Sequence, residues 1–321
     1  MTDKLTALAR HSVIVADSGE IDTLRSLGAQ DCTTNPSLIL RAAGKPEYAR
    51  LLKDAVVWAG QRENDPGRRV NLALDRVAVN FGAELSRVVP GYVSTEVDAR
   101  LSFDTAVTVA RAERLIALYQ EVGVDTSRIL IKVAATWEGV KAAAELTRKG
   151  MKCNLTLVFG MSQAALCGEA GVFLISPFVG RITDWHVAHG NKPERAADDL
   201  GVRSVREIYR YYKTLGLQTV VMAASFRNTG QVLALAGCDR LTISPALLEQ
   251  LHAEEGAVPR ALDPDDRAPG LARVAVDEVA FRWALNQDAM ATEKLSEGIR
   301  LFARDTETLC DLIRQTEASL S

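Results

Sequence analysis

The sequence predicts an α/β protein folded as a single-domain (β/α)8 barrel with extra helices at its C-terminal end. Three observations point there. Eight short runs rich in β-branched residues alternate with longer stretches of helical period along the 321 residues. The competing fold, an open doubly wound sheet, binds nucleotides at a Gly-rich first turn. Here the turn after the first run is Asp17-Ser18-Gly19-Glu20, and neither G-x-G-x-x-G nor a P-loop occurs. Finally, polar side chains stand at or near the C-terminal ends of successive runs, where a barrel carries its site.

The runs follow in order. The first is Ser12–Ala16, and the second ends in Cys32-Thr33-Thr34-Asn35. The third is Tyr92–Glu96, the fourth Ile129–Val133, the fifth Cys153–Leu157 and the sixth Val172–Ser176. Thr219–Met222 and Arg240–Ile243 complete the set.

Between them, Leu74, Val77, Phe81, Leu85 and Val88 repeat at three- or four-residue spacing, as one helix face requires, and Leu115, Ile116 and Tyr119 continue the pattern. Ser204-Val205-Arg206-Glu207 reads as a capping box ahead of a stripe of Ile208, Tyr211 and Leu215. Thr136 reads as an N-cap after the fourth run. The Asp-, Pro- and Arg-rich stretch from Glu254 to Pro269 reads as a surface loop. From about Val274 onward the pattern is helical and is expected to pack on the barrel, so residues 1–321 are taken as one domain.

Composition bounds the function. Apolar residues make up 47% and charged residues 25%, as in ordinary globular chains, and the net charge of −3 argues against nucleic acid or an anionic membrane as partner. No stretch approaches the roughly 18 consecutive apolar residues of a membrane span. The five cysteines, Cys32, Cys153, Cys167, Cys238 and Cys310, are odd in number and without C-x-x-C spacing, which suits reduced thiols in a cytoplasmic protein. The first residues carry no apolar signal-like segment.

Side chains two apart in a strand share a face. Val15 and Asp17, Thr33 and Asn35, Ser94 and Glu96, Leu130 and Lys132, Asn154 and Thr156, and Leu174 and Ser176 therefore pair up, each pair ending in a polar group. Lys132, inside Ile-Leu-Ile-Lys-Val, is the sharpest of them. Burial disfavours an ammonium and favours the free amine, a nucleophile toward carbonyl carbon. The alternative is a structural lysine paired with Glu96 or Asp17. Both carboxylates suit the proton transfers of imine chemistry, although Asp17 taken alone reads as a turn residue. Arg181 and Arg227, after the sixth and seventh runs, suit a phosphate, Arg227 with Ser225 beside it. Phe178 fits a pocket wall or plain core. His186 and His189 share a spacing that could bind metal, but no third ligand stands near, so neither metal nor cofactor is expected.

These segments resemble one family. Ala16-Asp17-Ser18-Gly19, Thr33-Thr34-Asn35-Pro36-Ser37-Leu38, Ser94–Asp98, Ile131-Lys132, Cys153–Leu157, Ile175–Arg181 and Ala224–Arg227 look like the transaldolases almost end to end, and most like the long subgroup of roughly 320 residues. The resemblance implies transfer of a dihydroxyacetone unit from sedoheptulose 7-phosphate to glyceraldehyde 3-phosphate in the non-oxidative pentose phosphate pathway. It implies Lys132 as the Schiff-base lysine, Glu96 acting through a water, and Asp17 taking the proton of the donor C4 hydroxyl. It implies Asn35, Asn154, Thr156 and Ser176 as holders of sugar hydroxyls, Arg181, Ser225 and Arg227 as holders of the phosphate, and Phe178 as a pocket wall. A homodimer is also implied. Two departures bear on local shape: Ala223 stands where a glycine is expected, and Gly160-Met161 where a Ser-aromatic pair is expected.

Two rivals remain open at this level. A fructose 6-phosphate aldolase of the same superfamily would release the three-carbon unit, but such chains are much shorter, with an amide in place of Glu96 and a tyrosine in place of Phe178. A sugar-phosphate-binding barrel without turnover would need the polar mouth but not the amine.

Overall fold

The computed structural model describes residues 2–320, without the side chains of Thr23, Ser26 and Leu27. Eight parallel strands form a closed barrel in sequence order: β1 (Val13–Asp17), β2 (Asp31–Thr33), β3 (Val93–Glu96), β4 (Ile129–Ala134), β5 (Lys152–Val158), β6 (Leu174–Pro177), β7 (Val220–Ala223) and β8 (Arg240–Ile243). β8 pairs back with β1, so no sheet edge is left to aggregate.

The helices ring this barrel. They are α1 (Lys4–Leu8), α2 (Ile21–Leu27), α3 (Pro36–Ala43), α4 (Ala49–Gly60), α5 (Pro66–Val88), α6 (Thr105–Glu121) and α7 (Trp137–Arg148). Then follow α8 (Met161–Glu169), α9 (Gly180–Ala188), α10 (Leu200–Leu215), α11 (Thr229–Leu233), α12 (Pro245–Ala253), α13 (Glu278–Gln287) and α14 (Ala289–Leu320).

The strand period sorts the interior into layers. Val15, Leu130, Leu174 and Met222 meet inside the barrel as an apolar floor. One step further along, the same strands present Asp17, Lys132 and Ser176. The outward-facing residues, among them Ala16, Ile131, Val133, Leu155 and Ile175, join the helices in the main core.

Caps and bends aim the strand ends. Thr136 caps α7 as expected, its hydroxyl oxygen accepting from Gly139 N at 2.9 Å. The capping box at Ser204 does not form. α10 begins four residues earlier, where the Asp199 carboxylate accepts from Gly201 N at 2.8 Å and Val202 N at 3.2 Å. An ionised carboxylate is a strong partner for those free N–H groups and for the positive end of the helix dipole, and it leaves Ser204 inside the helix. Ile208 and Tyr211 are buried as the stripe requires.

The loop after α12 is longer than its composition suggests, and helix resumes at Glu278 rather than near Val274. α14 then packs against α3, α4, α5 and α9. Neither departure lines the cavity described below: Ala223 is buried at the end of β7, and Gly160 precedes α8, facing Asp288 and Ala291. No helix among the described residues is long and apolar enough to cross a membrane.

Candidate active site

A cavity of about 310 Å³ opens at the C-terminal ends of the strands. It is lined by Asp17, Asn35, Lys132, Thr156, Ser176, Phe178, Arg181, Ser225 and Arg227, nine of the side chains singled out from the sequence. Ser37, Leu38, Arg41, Thr242, Ser244 and Phe302 line it as well.

Lys132 stands at its floor. Parallel pairing sets Glu96 of β3 opposite Lys132 of β4, and the side chains close into an ion pair, Nζ to Oε2 at 2.9 Å, with 6% and 4% of each exposed. Nζ also donates to the Thr34 carbonyl at 3.0 Å. The structural pairing weighed for Lys132 is therefore present. It also prepares chemistry, because the amine's partner is itself a proton acceptor. Burial pushes the Glu96 carboxyl above the ordinary carboxylate range, outweighing the opposite pull of Lys132.

Asp17 ends β1. Its Oδ1 accepts from the Thr33 hydroxyl at 2.9 Å, and Thr33 in turn meets the Thr242 hydroxyl at 2.7 Å. Part of Asp17 is open to the cavity, yet its depth in the mouth raises its carboxyl too, against the pull of Lys132. The turn after β1 is real, but the carboxylate faces the cavity rather than capping α2, whose first turn has no side-chain cap.

Neutral groups occupy the next strand ends. Asn154 is fully buried and does not line the cavity; its amide donates to Ser94 Oγ at 3.1 Å and its Oδ1 accepts from Ser176 Oγ at 2.7 Å. It orients Ser176 from below. Thr156 lines the cavity, and its buried hydroxyl has no hydrogen-bond partner among the described residues. Asn35 caps α3, Oδ1 accepting from Leu38 N at 3.0 Å, which leaves its NH₂ to other partners.

The cationic wall is built by three segments. Arg181, in the first turn of α9, lies between two rings, its guanidinium carbon 5.2 Å from the Phe178 centroid and 5.5 Å from that of Phe302. Its Nη1 is buried without a hydrogen-bond partner among the described residues. Burial, with Arg227 nearby, lowers its pKa from the usual value. Arg227 is held by Asp184 at 2.8 Å, and its Nη1 lies 3.5 Å from Ser225 Oγ. Ser225 itself has φ of 63°, the left-handed region that disfavours residues with a β-carbon. Its carbonyl accepts from Gly180 N at 2.6 Å, and a β-carbon on Gly180 would lie 2.3 Å from that oxygen. Only glycine allows this approach, which joins the β6 and β7 ends and brings Arg181 and Arg227 to one wall.

His186 and His189 stack around Trp185 instead of facing one centre. Among the described residues no three His, Cys, Asp or Glu side chains gather as metal ligands. All five cysteines are buried and free.

The helical C-terminal region packs on the barrel as expected, but its contribution of Phe302 to the cavity was not read from the sequence. A bulge between Leu155 and Val158 ends β5, with Leu157 at φ of 56°. Leu157 joins Phe159, Phe178, Ile182 and Phe302 in an apolar cluster beside the mouth. Phe302 is one apolar position within the C-terminal helical pattern, and no local signal marks it as part of the cavity.

The sequence resembles known proteins along nearly its whole length. Residues 14–313 match the family described as Transaldolase/Fructose-6-phosphate aldolase. A transaldolase of Alteromonas mediterranea is 54% identical over 98% of this chain and 99% of its own length. One from a Marinomonas species is 55% identical over 98% and 99%, and one from Rhizobium etli 52% identical over 98% of each.

Proposed function

The chain belongs to the transaldolase/fructose-6-phosphate aldolase family, as an enzyme of the transaldolase type, and on that premise we propose that Lys132 carries a dihydroxyacetone unit as an imine between two sugar phosphates. The donor is sedoheptulose 7-phosphate and the acceptor glyceraldehyde 3-phosphate; erythrose 4-phosphate and fructose 6-phosphate are the products. The observation that carries the reading is one buried amine bonded to one carboxylate, with a second carboxylate in the same mouth.

The steps follow from these groups. Lys132 Nζ adds to the donor C2 carbonyl. The resulting carbinolamine loses its hydroxyl as water, with Glu96 supplying and recovering protons through a water molecule. The protonated imine is the electron sink. Asp17 takes the proton of the C4 hydroxyl, the C3–C4 bond breaks, and its electron pair moves toward the imine nitrogen. The aldose phosphate leaves and a three-carbon enamine remains. The acceptor aldehyde is attacked by that enamine carbon, Asp17 returns its proton to the new hydroxyl, and hydrolysis frees the ketose.

Raised carboxyl pKa values suit both acids, since a better base accepts alcohol and water protons more readily. Asn35, Thr156 and Ser176 bond the donor's hydroxyls, with Asn154 reaching them or setting Ser176. Arg181, Ser225 and Arg227 hold the phosphate, and Phe178 bounds the chain of the sugar. We read residues 1–321 as one catalytic unit working as a homodimer in the cytoplasm, within the pentose phosphate pathway and without metal or cofactor.

Borohydride reduction in the presence of fructose 6-phosphate tests this. A stable adduct of dihydroxyacetone mass on Lys132, absent in Lys132→Met, is the expected result. No adduct, or free dihydroxyacetone release as fast as transfer to an acceptor, would overturn it.

A further inference from the structure

We infer that Phe302, on the C-terminal helix, sets how far the three-carbon intermediate is transferred rather than lost to water; the inference rests on the imine assigned to Lys132 above. Three observations carry it. Phe302 lines the catalytic cavity although it is only 2% exposed. Its ring centroid lies 5.9 Å from Lys132 Nζ and 5.5 Å from the Arg181 guanidinium carbon, so one apolar surface touches both the reacting amine and the cationic wall. And α14 is fastened where it must be for this. Ser37 donates to Asp305 one turn beyond Phe302, and Gly298 one turn before it lies so close to Leu157 that a β-carbon would meet Leu157 Cδ2 at 2.7 Å.

The chemistry gives the ring its task. The enamine left on Lys132 has two fates. With an aldehyde it forms a carbon–carbon bond. With water it is lost: a proton adds to the enamine carbon, water adds to the imine carbon, and the C–N bond breaks to give dihydroxyacetone and the free amine. Net, that second route consumes one water. A hydrocarbon face beside Nζ holds no water to deliver a proton to the enamine carbon, the one step that loss needs and transfer does not. The polar residues of the mouth serve the sugar, and Phe302 keeps solvent off the enamine while the mouth is between substrates.

The test measures partition. Wild type, Phe302→Leu and Phe302→Tyr are given fructose 6-phosphate with and without erythrose 4-phosphate, and dihydroxyacetone release is divided by transfer. Release over transfer should rise about tenfold in Phe302→Leu, the scale of losing an aromatic face at a partly desolvated cation. It should rise at least as far in Phe302→Tyr, which keeps the ring but adds a group that can hold a water. The KM for the phosphorylated acceptor should change less than the ratio. Borohydride trapping on Lys132 runs alongside. Variants that trap normally with an unchanged ratio would overturn the inference. Wild type that fails to trap would instead overturn the imine reading, and this one with it.

Discussion

Replacing Lys132 by methionine should destabilise the protein strongly, and replacing Glu96 by glutamine as well should restore it. Both side chains are nearly sealed from solvent, and their charges meet at 2.9 Å. Removing one member of such a pair costs about 3–5 kcal/mol because the other stays buried unpaired, whereas making both uncharged removes that penalty. Methionine also strands the Thr34 carbonyl that Nζ holds, at a further cost of about 1 kcal/mol. Burial already holds Glu96 above its ordinary pKa against the pull of Lys132, and without the lysine it rises further. A carboxyl with a raised folded pKa stabilises the native state when protonated, and that stability is lost as pH rises through the folded value. Lys132→Met should therefore be weakest near about pH 8 and recover toward about pH 5, whereas Lys132→Met/Glu96→Gln should keep only the contribution of Asp17. Guanidinium unfolding at fixed protein concentration at both pH values measures this. If Lys132→Met matches wild type at high pH, or gains nothing on acidification, the reasoning about a costly buried pair is wrong.

Other perturbations probe the cationic wall, the scaffold and the proton chemistry. Ser225→Gly relieves the left-handed backbone and should raise stability by about 1 kcal/mol while raising the KM for fructose 6-phosphate; Ser225→Ala should raise KM without that gain, as thermal unfolding and initial rates would show. Arg111 bridges buried Asp75 at 2.7 Å and Asp98 at 3.5 Å, while Arg114 also pairs with Asp75 and Arg100 with Asp98, so Arg111→Met should cost less than the loss of a sole partner, about 2 kcal/mol in denaturant unfolding, partly recovered in Arg111→Met/Asp75→Asn. Because both mouth carboxyls are raised, kcat/KM should fall on acidification with a midpoint above the ordinary carboxylate value, a joint property of Asp17 and Glu96. A midpoint at or below about pH 4 would contradict that electrostatic reading.

The barrel was legible because the strands are short, mostly β-branched, and repeat in order, and because six of the eight carry a polar residue at or near the C-terminal end. β1 and β6 each run one residue further than their apolar runs suggest, since backbone pairing continues into Asp17 and Pro177. Nine of the eleven site residues line one cavity, because period two and a shared barrel end suffice to bring them together. The other two show what period cannot tell. Asn154 shares a face with Thr156 but is spent on Ser94 and Ser176. Glu96 reaches the amine rather than the cavity. Ser204 misled because a capping box is two side chains at a spacing, and only the chain's entry path makes Asp199 the cap. Phe302 could not be read at all, since its role is fixed by contacts across more than a hundred residues of chain.

The layering of the barrel explains why the site can exist where it does. Val15, Leu130, Leu174 and Met222 plug the interior below, so the polar layer above has solvent on one side only. Phe178 and the C-terminal helix narrow that side. Each enclosure raises the cost of Glu96 and Asp17 as ions, and that same cost is what makes two carboxyls better bases than free ones. Arg181 follows the same logic on the proposed reading: flanked by two rings and with Nη1 unpartnered among the described residues, it would give that nitrogen a partner when a phosphate enters. On the proposed reading, phosphate binding would satisfy Arg181 Nη1, and its binding energy would hold the distant carbonyl against Lys132.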